Sequence, residues 1–210
     1  MVLSAFLTVV VVHLLAVISP GPDFAMVTRN SLIYSRRAGV FTAAGLGLGI
    51  GVHVAYSLMG IGLVISRSVV LFSIIKWVGA AYLIYLGYTS LRSKRNSAAV
   101  EETAAVSAEA LSDLRAMRIG FLTNVLNPKA TLFFLALFTQ VIDPATPLWV
   151  QLVYGIEMMW ATALWFSLVA LTFSNAYLKS KIQSVQHYIE RVTGAVLIAL
   201  GLKLALASKD

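Results

Sequence analysis

SPGPDF, residues 19–24, sets two prolines, a glycine and an aspartate into an otherwise apolar run. From Val2 to Ile18 the residues are almost continuously Val, Leu, Ala, Ile and Phe, with Ser4, Thr8 and His13 as polar interruptions. That is the composition of a membrane-spanning helix. Pro20 and Pro22 each remove a backbone donor and clash with the preceding turn, so the helix must stop and restart. The freed carbonyls and amides then lie at membrane depth, where lipid cannot satisfy them. Irregular backbone survives there only buried in protein or lining a watery cavity, so the break points to a site.

The composition of the whole chain agrees. Of its 210 residues, 59% are hydrophobic and 12% charged, whereas soluble domains carry about 25% charged residues. Mean hydropathy is +0.85. A cleaved signal peptide is disfavoured, because no positive segment precedes the first apolar run and further spans follow it. Cysteine is absent, which removes disulfides, thiolate metal sites and dithiol relays together. The formal net charge of +7 does not indicate nucleic acid, because the basic residues sit in loops between apolar spans.

Apolar segmentation predicts an all-α polytopic membrane protein with six transmembrane helices. The first, about 2–29, is broken at 20–23; the second and third run about 39–65 and 72–91. A polar segment, 92–118, reads as a solvated cytoplasmic linker. The fourth span, about 119–141, is broken by NPKA, 127–130; the fifth and sixth run about 148–173 and 188–206. In the second span Gly45/Gly49 and Gly47/Gly51 form overlapping G-x-x-x-G pairs, the pattern that lets helices in lipid approach closely. No phosphate-cradling loop is read there, since the preceding strand and the G-x-G-x-x-G spacing are both missing.

The two halves, 1–91 and 119–210, read as copies. VGAAYLIYLG, 78–87, aligns without gaps on VTGAVLIALG, 192–201, and Tyr56-Ser57-Leu58 on Phe166-Ser167-Leu168. Three spans per copy is an odd number, so the second copy must enter the membrane inverted, as in secondary transporters. With the N-terminus outside, the inner loops hold ten Lys and Arg residues against two in the outer segments, leaving aside those near span ends. That bias orients both termini outside the cytoplasm.

Asp23 and Lys129 sit at the two breaks, each costing about 2.5–3.5 kcal/mol at the bilayer centre. Asp23 has a plain structural reading: a carboxylate in the first turn of the restarted helix, accepting from its free amides. Lys129 does not. Asn127 is a natural N-cap and Pro128 a natural first helical residue, which puts Lys129 where the helix dipole disfavours a cation. A cation beside free amides suits a carboxylate, and an acid on the opposite copy suits an ammonium. Together they match an amino-acid zwitterion; the rival reading is a static pair between them. Glu157, in the fifth span, is a candidate proton carrier if it faces the cavity. His13 and His53 read as core histidines, with no carboxylate at metal-ligand spacing. No metal and no cofactor is expected.

FLTVVVVHLLAVISPGPDF and LTNVLNPKA, with six spans in 210 residues, resemble the LysE/RhtB superfamily of amino-acid exporters, most closely its threonine and homoserine efflux branch. The resemblance covers nearly the whole chain. It implies export of a small amino acid across the bacterial inner membrane, coupled to protons. Pro20, Gly21, Pro22 and Asp23 match its first motif; Asn127, Pro128 and Lys129 match the second. Glu157 matches no family signature. Two other classes fit less well. A membrane redox or metal-handling role is opposed by the lack of cysteine, and a structural or regulatory subunit would leave two buried charges and two broken helices unexplained. The substrate's identity and any homo-oligomer are left open.

Overall fold

The computed structural model describes residues 2–19, 21–67, 69–92, 110–140, 142, 145–172, 188, 191–192, 194–199, 201–202 and 205–206. Pro20, most of the expected linker (93–109), Asp143, Pro144, Lys179, Lys181, Lys209 and parts of the sixth expected span (189–190, 193, 200 and 203–204) lie outside the described residues. Among those described, all regular structure is helical: α1 (Val2–Ile18), α2 (Pro22–Ile33), α3 (Arg36–Arg67), α4 (Val69–Arg92), α5 (Asp113–Val125), α6 (Pro128–Gln140) and α7 (Leu148–Thr172), with further helical backbone at 194–199.

Residues Arg36–Met59 of α3 and the whole of α7 are each long and apolar enough to cross a membrane. The pairs α1/α2 and α5/α6 pass the same test as single spans bent by 56° and 58°. The described residues thus hold two clear spans, or four with the broken pairs. Along α7, Trp149, Trp160 and Leu164 are each about two-thirds exposed, on a face that continues through Ile156 and Leu168. An apolar stripe of that length has a natural neighbour in lipid.

Helix α3 is the hub and packs most extensively against α5, α7 and α2. Its glycines explain why. A Cβ on Gly45 would collide with the Met117 carbonyl of α5, and one on Gly120 of α5 with the Thr42 carbonyl of α3. On the adjacent face a Cβ on Gly47 would lie 2.8 Å from the Met159 carbonyl oxygen of α7. One G-x-x-x-G pair therefore serves each neighbour, bringing backbones together where any side chain would hold them apart. The matched positions rise together along α3 and α5, so these helices run parallel. Along α3 and α7 they run in opposite order.

The second close crossing joins the two segments that align in sequence. A Cβ on Gly87 would lie 2.5 Å from Ile198 and 2.6 Å from the Gly194 carbonyl. One on Gly201 would lie 2.8 Å from Ile84 and 2.9 Å from the Ala80 carbonyl. In the alignment of 78–87 with 192–201, Ala80 corresponds to Gly194 and Ile84 to Ile198. Each contact is therefore returned by its counterpart, in antiparallel orientation, as at a two-fold interface.

Helix α5 begins at Asp113, ahead of the boundary at 119 that apolarity alone suggests. Ser112 occupies the N-cap position, and an acidic residue in the first turn complements the helix dipole. Asp113 also accepts a bidentate pair of bonds from Arg37, 2.9 Å from Nε and 2.7 Å from Nη2. Exposed pairs contribute little to stability. This one matters as geometry, since it sets the starts of α3 and α5 at the same end of the bundle.

Candidate functional site

The two helix breaks meet. Helix α1 ends at Ile18 and the chain restarts at Pro22, with Gly21 as N-cap and no side-chain cap bond. Helix α5 ends at Val125 and the chain restarts at Pro128. Both prolines take the first helical position, where the missing N–H forfeits no intrahelical bond. At the second break the Asn127 side chain caps the new helix, its Oδ1 accepting from the Lys129 amide at 3.0 Å.

Each break then stabilises the other. Asp23 Oδ2 accepts from the Asn124 side-chain amide at 2.8 Å, and Oδ1 from that of Asn127 at 3.1 Å. The carboxylate is therefore held by donors of the opposite break rather than by the free amides of its own helix. Bonds to a charged group contribute about 1.5–3 kcal/mol each, which offsets much of the burial. In return the Lys129 ammonium donates to the Ser19 carbonyl at 3.1 Å, taking up an acceptor at the end of α1. The Lys129 side chain passes beside Gly21, where a Cβ would lie in ordinary contact with its Cδ at 3.5 Å.

Between the breaks lies a cavity of about 50 Å3. Several waters need no more than that. Gly21, Asp23, Asn127 and Lys129 line it, joined by Asn124 and by His13 and Thr162 from α1 and α7. Its apolar walls come from both hydrophobic clusters of the core, with Phe134 from one and Phe166 from the other. Of the residues singled out in the sequence, Pro22 and Pro128 shape the breaks without lining the space, and Pro20 lies outside the described residues. Glu157 is not among the lining residues. It is half-buried on α7, and its Oε2 has no hydrogen-bond partner among the described residues.

Sequence reasoning missed Asn124. Asn124 stands three residues before Asn127, so both project toward the same side of the break, and that spacing was the available signal. His53, read from the sequence as a core histidine, is buried on α3, with Nε2 3.0 Å from the Asn124 carbonyl and its ring stacked on Phe134 at 5.4 Å. Among the described residues no group of three His, Cys, Asp or Glu side chains could hold a metal ion.

A carboxylate and an ammonium thus face one cavity, each fixed by the other break. The family model described as LysE type translocator matches residues 14–208. The chain belongs to that family. Its two broken helices are thus those of a LysE type translocator, a membrane transporter and not an enzyme. Over 98% of its length this translocator is 29% identical to the threonine efflux protein of Escherichia coli (strain K12), covering 99% of that protein. Over 98% of its length it is 30% identical to the membrane protein YrhP of Bacillus subtilis (strain 168), covering 100% of it. A membrane protein of Vibrio cholerae is 32% identical over 97% of the chain and 96% of its own length. No solved structure matches this LysE type translocator.

Proposed function

We propose that this translocator exports a small amino acid of the threonine or homoserine kind from the cytoplasm in exchange for protons. The observation that carries the proposal is the convergence of Asp23 and Lys129, from the two broken helices, on one cavity. A zwitterion crossing a low-dielectric path needs both charges compensated together. An ionised carboxylate offers about four acceptor positions, and the two amides occupy two, so Asp23 retains room for a substrate ammonium. Lys129, in the first turn of α6 beside Asn127, supplies the end that suits the substrate carboxylate. The efflux named for the Escherichia coli relative supports an amino acid as cargo and the outward direction.

The scaffold in this reading has six spans in two inverted three-helix repeats, seated in the bacterial inner membrane with both termini outside the cytoplasm. Three observations support it. The broken pairs bend by nearly equal angles. The contacts between 78–87 and 192–201 are reciprocal and antiparallel. Helix directions also agree: with alternating spans the second and fourth run parallel and the second and fifth antiparallel, as α3 does with α5 and α7.

The test is threonine efflux from preloaded vesicles containing the purified protein. Asp23→Asn and Lys129→Met are each expected to reduce efflux to background while the protein remains folded in the membrane. The double substitution is expected to stay inactive. Restored activity in the double would favour a static pair, since replacing both charges together is often tolerated. A fully active Lys129→Met would remove the substrate-site assignment.

A further inference from the structure

His53 has no task in the export reading, yet its surroundings are arranged in an unusual way. It lies one turn beyond Gly49 on the stripe of α3 that faces α5, with no exposed surface. Its Nε2 is 3.0 Å from the Asn124 backbone carbonyl. A carbonyl only accepts, so Nε2 carries a proton. On the other side of the ring, Nδ1 is 2.7 Å from the Tyr56 hydroxyl, and that hydroxyl is 3.1 Å from the Thr131 carbonyl. Tyr56 therefore has one proton and two acceptors within reach.

This geometry accepts two protonation states without moving a heavy atom. With His53 neutral, the Tyr56 hydroxyl donates to Nδ1. With His53 charged, the Nδ1 proton is donated to the Tyr56 oxygen and the hydroxyl turns to Thr131. Neither state leaves a donor of the chain buried without an acceptor, which is the costly outcome for a polar group in an interior. His13, whose ring also meets Phe134, is the contrast. Its Nε2 lies 3.3 Å from the Thr162 hydroxyl, and its Nδ1 is buried with no partner among the described residues. A second proton there would have nothing to receive it.

We propose that His53 is the proton-binding residue of the exchange, resting on the export reading above. Asn124 links it to the substrate charge: its carbonyl receives His53 and its side-chain amide donates to Asp23. Thr131, at the other end of the relay, is two residues beyond Lys129 in the first turn of α6. The elements packed on α3 bring Asp23 from α2, Lys129 from α6, and Glu157 and Tyr154 from α7. Arg118, the nearest basic residue of α5, is about 9 Å back along its helix from Asn124. Asp23 is the acidic group joined to His53 by hydrogen bonds, through Asn124. One negative charge thus has two claimants, a proton on His53 and the ammonium of an amino acid. Each weakens the hold on the other, and mutual exclusion at one site is what antiport requires.

Two measurements on the full-length protein decide this. The first follows the ring nitrogens of 15N-histidine-labelled protein in lipid nanodiscs by NMR, with signals assigned through His13→Gln, His53→Gln and His187→Gln. His53 is expected to pass reversibly from the Nε2–H form to the imidazolium in the window of about pH 5 to 8, while His13 stays neutral. A His53 that remains neutral throughout that window in folded protein overturns the proposal. The second uses threonine in vesicles. His53→Gln keeps an N–H for the Asn124 carbonyl, so threonine–threonine exchange should persist within about twofold, while acceleration by a pH gradient falls about tenfold or more. Tyr56→Phe should also keep exchange and lose part of that acceleration.

Wild-type protein that a pH gradient fails to accelerate removes proton antiport, and this assignment with it. Wild-type protein that responds while His53→Gln responds equally removes the assignment alone. Should His53→Gln lose exchange as well, Tyr56→Phe decides: a weakened pH response there supports the relay, and an undiminished one overturns it. Wild-type protein that moves no threonine refutes the cargo reading only, and the NMR titration still decides His53.

Discussion

Asn127 shows how much one side chain carries at a helix break. Its Oδ1 caps α6 and its Nδ2 holds Asp23, so both ends of one amide are used. The two roles separate by substitution. Serine retains a capping oxygen but not the amide donor, and alanine removes both. Asn127→Ala should lose about 0.5–2 kcal/mol of stability relative to Asn127→Ser through the cap. Both should reduce threonine efflux by about tenfold, since Asp23 loses a donor bond of about 1.5–3 kcal/mol in each. Thermal unfolding in detergent reads the first effect and vesicle efflux the second. Wild-type efflux from Asn127→Ser would mean that the clamp on Asp23 is dispensable. At this scale the sequence disclosed Asp23, Asn127 and Lys129 as chemistry that needed an explanation. It did not disclose their partners: an N-cap role for Asn127 follows from local geometry, whereas its bond to Asp23 spans 104 positions of chain.

Helix α3 is apolar on every side, so no polar face tells which neighbour lies where. Its small residues carry that information instead. The two glycine pairs were legible as packing surfaces, and the fold assigns Gly45 and Gly49 to α5, and Gly47 and Gly51 to α7. These positions should differ sharply in tolerance. An alanine methyl at 45 meets the backbone carbonyl of Met117, which cannot yield without separating the helices. At 51 it meets the Met159 thioether at 3.2 Å, the flexible end of a side chain. Glycine to alanine within a helix should by propensity alone gain about 1 kcal/mol. Gly45→Ala is nonetheless expected to lose about 1–3 kcal/mol through overpacking, while Gly51→Ala stays near neutral or gains. Unfolding midpoints of the purified variants compare them directly. A Gly45→Ala as stable as Gly51→Ala would contradict the close crossing of α3 and α5. Gly49 adds a link to function, since a Cβ there would lie 2.7 Å from Asn124 Oδ1 and would push the amide that holds Asp23.

For the whole molecule, the paired breaks, the reciprocal glycine crossing and the directions of α3, α5 and α7 are features of one arrangement. Its simplest consequence is topological. Reporters fused after Lys94 and after Asp210 should report opposite sides of the membrane, the first cytoplasmic and the second outside, as the ten-to-two bias of basic residues requires. Reporters on the same side would dismantle the inverted arrangement while leaving the meeting of the two breaks intact. The Arg37–Asp113 pair agrees with this orientation, because it holds the first basic loop and the end of the linker together. Its removal by Asp113→Asn should leave the unfolding midpoint of the purified protein nearly unchanged, as for other exposed pairs.

The sequence by itself determined what rests on covalent structure and on solvent. Proline lacks an N–H whatever surrounds it, so the breaks at 20–23 and 127–129 were fixed before any packing was known. A bilayer admits no unpaired backbone, so those breaks had to be buried in protein or line a watery cavity. The tertiary structure decided which groups meet. In a soluble helix the polar face marks the outside and orients every side chain. In an apolar helix surrounded by lipid the 3.6-residue period gives angles without an origin. Only the packing of α5 and α6 against α3 set that origin, bringing His53 to Asn124, Asn124 to Asp23 and Lys129 to Ser19, and leaving Glu157 off the cavity wall.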